Sequence, residues 1–201
     1  MAQIVIPIYF DYASTLCYVA WRIVGRLEGE LGFAALWKGV PIAERTSRSR
    51  PGLPLEEREL ARIRNVIAET GVAVEPPPRW LDSGKALEGA ELAREAGAFS
   101  AYHDAIFRAA FEQRVDIGDL DALTAVAERG GIDPVRFRDA ITSGRMAPRV
   151  AANKAEAESF SALGYPSFVL GDFPLIGIQP IETMRMLLAR FIERRAAEPQ
   201  A

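Results

Sequence analysis

The sequence predicts an α/β fold: a small mixed sheet whose chain is interrupted by an all-helical insertion. Three observations carry this. Residues 4–42 read as strand, helix, strand; residues from about 55 to 163 are helical in period almost throughout; residues 164–197 return to two short apolar runs and a closing helix. Joined across the helical block, the two ends supply four strands with helices on both faces. The expected boundaries are 1–42 plus 164–201 for a discontinuous α/β domain and 43–163 for the insertion.

The first strand is expected from Ile4 to Phe10, a run of β-branched and aromatic residues. Pro7 works against it, since proline cannot donate to a ladder, so a local irregularity is expected there. Ser14 or Thr15 offers an N-cap to the helix that follows. Val19, Ile23, Leu27 and Leu31 recur at helical spacing, and Gly32 is placed to stop the helix. "FAALWKGVPI" reads as the second strand, and "AERTSRSRPGLP" as an exposed basic loop or lid. Charge-patterned helices follow, broken at "VAVEPPPRW", where three consecutive prolines force an extended segment. Asp133 and Pro134 open one of these helices as cap and first residue. Near the C-terminus, Gly171-Asp172 between apolar runs signals a hairpin. Ile181, Met184, Leu188, Phe191 and Ile192 then mark the inner face of a last helix.

Composition narrows the function. The chain has 201 residues, 49% hydrophobic and 25% charged, enough apolar material for a real core. A net charge of −3 gives no electrostatic reason to expect nucleic acid or an anionic membrane as partner. No apolar run approaches a membrane span. The first residues lack the basic start and cleavage site of a secretory signal, and a single cysteine cannot form an internal disulfide. A cytoplasmic protein is therefore expected. One cysteine and one histidine do not make a structural zinc set, and no metal is expected.

Three stretches carry a resemblance. "FDYASTLCYVA" resembles the active-site turn of the DsbA-like family, "GYPSFVL" its cis-proline loop and following strand, and "IGIQPIETMRMLL" the lead-in to its last helix. "GAELAREAGAFSAYHDAIFRAAFEQRVDIGDLDAL" is similar to the family's helical insertion. The family also includes the 2-hydroxychromene-2-carboxylate isomerases and the kappa-class glutathione transferases. The resemblance implies a thioredoxin fold with an inserted all-helical domain, and a cis Tyr165–Pro166 bond. Ser14 stands where the redox members have their attacking cysteine, and Cys17 where they have the resolving one. The transferases and isomerases also carry serine at the first position, but this chain has Thr15-Leu16 in place of their usual Pro-Tyr.

A thiolate at a helix start is stabilised by free N–H groups and the helix dipole. If the thiol is the protein's own, the result is redox chemistry; if it is a bound cofactor's, the result is transfer or isomerisation. Ser14 suits the second case, because a hydroxyl can donate to an incoming sulfur. Read locally, it is also a plain N-cap. Cys17 reads by default as a small buried hydrophobe. The resemblance makes Ser14 and Cys17 the candidate catalytic residues. It makes Tyr165, Pro166, Ser83 and Arg48 candidates for holding substrate or glutathione. Asp82-Ser83 also reads as a helix cap, and His103 as structural. Arg45, Arg48 and Arg50 could close over a carboxylate, although a solvated loop is the plainer reading. Trp37, Lys38 and Trp80 could line an interdomain cleft.

Three functions stay open. The first is a glutathione-dependent isomerase or transferase acting on a small aromatic or carboxylated substrate. The second is a single-cysteine thiol oxidoreductase, and the third a non-catalytic binding protein using the proline groove. A small-molecule or thiol substrate is the expected partner, and the Phe and Trp residues of the insertion leave room for a homodimer.

Overall fold

The computed structural model describes residues 3–42 and 47–197. The chain runs β1 (Val5–Phe10), α1 (Thr15–Leu31) and β2 (Ala34–Gly39), then a short 3-10 turn at Ser47–Ser49. Six helices follow: α2 (Glu57–Thr70), α3 (Gly84–Glu95), α4 (Phe99–Phe111), α5 (Leu120–Arg129), α6 (Pro134–Thr142) and α7 (Ala147–Ser159). The chain closes with β3 (Ser167–Leu170), β4 (Phe173–Ile176) and α8 (Ile181–Ala197). The sheet has four strands in the order β2-β1-β3-β4, with β1 and β2 parallel and the other pairs antiparallel.

Local chemistry explains the boundaries. Ser14 caps α1 through its side chain, and Gly32 ends it in the left-handed conformation at φ 72°. Asp133 caps α6 with its carboxylate, and Pro134 fills the first helical position. Pro7 lies in the central strand, contrary to an edge preference. The β1–β3 register pairs Ile8 with Phe168 and Tyr9 with Ser167 and stops before Pro7, the residue with no N–H to give. The irregularity expected there is a shortened ladder.

The two faces of β1 sort the helices. Tyr9 and Lys38 face α7, where Lys38 pairs with Glu156 at 2.5 Å. Ile8, Phe10 and Trp37 face the other way, and Phe10 meets Phe107 of α4. Around Phe107 gather Tyr12, Tyr18, Trp21, His103 and Phe111. The buried residues of sheet and insertion thus form one core cluster. Of the aromatic residues of the insertion, Trp80, Phe107, Phe111 and Phe137 are buried in this core. Trp37 belongs to this core and not to a cleft. His103 is structural, packed among aromatic rings with its Nδ1 2.9 Å from the Tyr12 hydroxyl. Burial, with Arg94 nearby, keeps its pKa well below the usual value, so it stays neutral.

Candidate active site

β1 ends at Phe10, and the chain must turn before α1 can start. Asp11 builds that turn. Its buried carboxylate accepts the N–H of Ala13 at 2.9 Å and the N–H of Ile42 at 2.5 Å, and its carbonyl accepts the N–H of Ser14 at 3.1 Å. One side chain therefore ties the segment after β2 to the start of α1 and sets where Ser14 sits. Burial pushes the Asp11 pKa up, while the N–H groups of Ala13 and Ile42 and the hydroxyl of Ser83 pull it back.

Ser14 and Cys17 then part ways. The Ser14 Oγ accepts the Cys17 N–H at 3.3 Å, so the N-cap reading is correct, and the same residue lines a cavity of about 470 Å³. Cys17 is fully buried, its sulfur accepting the Asp11 N–H at 3.5 Å. Burial pushes this thiol up to about 12, outweighing the opposing pull of the Asp11 N–H, the Ser14 hydroxyl and the Arg62 charge. It is a thiol at neutral pH, and solvent does not reach it. The expected result with an aromatic disulfide reagent at pH 8 is no reaction in the folded protein and one thiol per chain in denaturant. Rapid labelling of the folded protein would contradict the burial.

The second wall comes from the other end of the sequence. The Tyr165–Pro166 bond is cis, and Tyr165 lines the same cavity as Ser14. The Pro166 carbonyl accepts the Gly177 N–H at 2.7 Å, which fixes this loop against the end of β4. Gly177 has φ 85°, a conformation that suits glycine. Arg48 is on the rim, exposed, 3.8 Å from Glu56. Arg58 and Arg62 of α2 and Trp80 also line it, with Glu56 and Glu59 beside them.

The fold thus brings Ser14, Tyr165 and Arg48 together around one cavity, with Pro166 next along the chain. Ser83 is not on the cavity surface. It stands at the N-terminal end of α3 but makes no capping bond, a correction to the cap reading; its side chain is buried beside the Asp11 carboxylate, and Asp82 accepts the Gly84 N–H instead. Arg50 is exposed and outside the lining, and Arg45 lies outside the described residues. Trp80 reaches the cavity, whereas Lys38 is held by Glu156. Sequence reasoning missed Asp11, Arg58 and Arg62. The aspartate between an apolar strand and a serine cap was a signal for the first. The i, i+4 spacing of the arginines was a signal for the others, which line up along one side of a helix that buries Ile63 and Val66.

Among the described residues no cluster of three or more His, Cys, Asp or Glu is placed to hold a metal ion, and no helix is long and apolar enough to cross a membrane.

Comparison with known proteins places the fold. The fold is shared with a "probable DsbA oxidoreductase" from Streptomyces coelicolor, at TM-score 0.80 and 22% identity over 99% of this chain and 94% of that one. It is shared with a 2-hydroxychromene-2-carboxylate isomerase, at TM-score 0.77 and 18% identity over 96% and 98% of the two chains. It is also shared with the cytosolic disulfide reductase DsbM of Pseudomonas aeruginosa, solved with GSH, at TM-score 0.68 and 15% identity over 94% and 100%. The model of the DSBA-like thioredoxin domain matches residues 5–189. The chain belongs to the DsbA-like thioredoxin-domain family.

Proposed function

We propose that this protein is a glutathione-dependent isomerase or transferase for a small aromatic or carboxylated substrate. The observation that carries the reading is the division of labour one turn into α1: Ser14 faces the cavity, and the chain's single cysteine is sealed beneath it. Oxidation of a dithiol by intramolecular exchange needs two protein thiols, and this chain has one.

The cavity residues fit a thiol tripeptide. About 470 Å³ lies within the range of small-ligand sites. Ser14 Oγ accepts the Cys17 N–H, and its hydroxyl proton, engaged with the Cys17 sulfur in the free protein, can rotate to donate to an incoming sulfur. The first turn of α1 carries no acidic side chain, so its dipole is not cancelled there. The backbone of Tyr165 offers strand-like pairing to an extended peptide, and Arg48 and Arg58 are suited to its carboxylates. Trp80 supplies a flat apolar wall for an aromatic substrate. Bound glutathione supplies the nucleophilic sulfur; the protein orients it, stabilises its charge and shields it from water. The likeness to a GSH-bound disulfide reductase supports the cofactor, and the likeness to an isomerase supports the reaction class.

Calorimetry with glutathione tests this. Ser14→Ala should weaken binding by about tenfold or more, the worth of one hydrogen bond to a charged group. Cys17→Ala should leave the Kd within about twofold. A parent protein that does not bind glutathione, or a Ser14→Ala variant that binds as well as the parent, would refute the proposal.

A further inference from the structure

Arg62 stands out among the cavity residues. It comes from the insertion, yet its guanidinium reaches the cis-proline loop: Nη2 is 3.1 Å from the point a Cβ on Gly177 would occupy, and Gly177 is bonded to the Pro166 carbonyl. Its charge is also felt at Cys17, directly behind Ser14. No described carboxylate pairs with it, although ion pairs are frequent elsewhere on this surface, Arg48–Glu56 on the same cavity included. An exposed arginine whose guanidinium lies beside Gly177, on the same cavity as the start of α1 and with no described partner anion, is placed for an anion that arrives from outside.

We propose that Arg62 is a catalytic residue of the insertion, the cation that stabilises the thiolate of a thiol bound between Ser14 and Tyr165. This rests on the glutathione reading above. The cofactor S–H bond loses its proton to buffer on binding, and the sulfur keeps the electron pair. The dipole of α1 and the hydroxyl of Ser14 act from one side, and Arg62 from the other. The remaining charged groups on the cavity are Arg48, Glu56, Arg58 and Glu59. Arg48 and Glu56 offset each other, so Arg58, Glu59 and Arg62 leave a net positive charge facing the ligand. Asp11, the one buried carboxylate behind the site, is engaged by backbone N–H groups.

The test reads the thiolate, not turnover. Thiolate ultraviolet absorbance of bound glutathione is titrated against pH for the parent, Arg62→Lys and Arg62→Gln, with S-methylglutathione as the ligand that has no thiol to ionise. Arg62→Gln should raise the midpoint of thiolate formation by about one pH unit, and Arg62→Lys should recover part of it. Affinity for S-methylglutathione should change less than about twofold. A midpoint unchanged in Arg62→Gln overturns the assignment. So does an equal loss of affinity for both ligands, which would make Arg62 an anchor for the peptide's carboxylates. A parent that binds neither ligand defeats the glutathione reading and this inference together, and is distinguished from the other outcomes by the parent alone.

Discussion

Replacing Phe107 with alanine should cost about 3–5 kcal/mol, the usual toll for emptying an aromatic site in a core. Its ring is fully buried on α4, with centroids 4.9 Å from Tyr12, 4.8 Å from His103 and 5.7 Å from Trp21. Those partners belong to the active-site turn, the insertion and α1. Phe107 is therefore where the helical block grips the sheet and the helix that presents Ser14. Edge-to-face contacts add to the area term, so the upper part of the range is expected. Thermal unfolding should remain one cooperative transition, with Tm lowered by roughly 10 °C for a chain of this size. A loss under about 1 kcal/mol, or two separated transitions in the parent protein, would show that the ring does not couple the two parts.

Asp11→Ala should be nearly as damaging and should reach the site directly. Removal of the carboxylate strands two backbone donors, Ala13 N–H and Ile42 N–H, around a residue that is fully buried. Each unsatisfied buried donor costs about 1–3 kcal/mol, so a loss of about 2–6 kcal/mol follows. Asp11→Asn keeps one acceptor oxygen and should cost less. The alanine variant should also bind glutathione more weakly, because the bond to Asp11 fixes Ile42, which itself lines the cavity. Denaturant unfolding at neutral pH measures the first effect, and calorimetry the second. A stable Asp11→Ala variant with unchanged binding would mean that the turn is held by something other than this carboxylate.

Much of this was legible in the sequence because it is written locally. Ser14 and Gly32 bracket α1, Asp133-Pro134 opens α6, and Gly171-Asp172 turns the β3–β4 hairpin, each through chemistry confined to a few neighbours. The insertion was readable because its helices carry their period in their own residues. Pairing between distant segments was not. Nothing near Ser83 announces that it will turn from its helix toward Asp11; only the fold brings that carboxylate beside it. Arg62 looked like any solvated residue on α2 until the loop at Gly177 arrived beside it from the far end of the chain. The burial of Cys17 was expected from its residue type. Its hydrogen bond from the Asp11 N–H depends on the tight turn and could not be read in advance.

The central claim is that the sulfur of this site is a guest. A crystal structure of the protein with reduced glutathione tests it most directly. The account predicts the glutathione sulfur within hydrogen-bonding distance of Ser14 Oγ, the peptide paired with the backbone of Tyr165, and Cys17 a free thiol beneath. Glutathione bound elsewhere, or joined to an exposed Cys17 in a mixed disulfide, would contradict it.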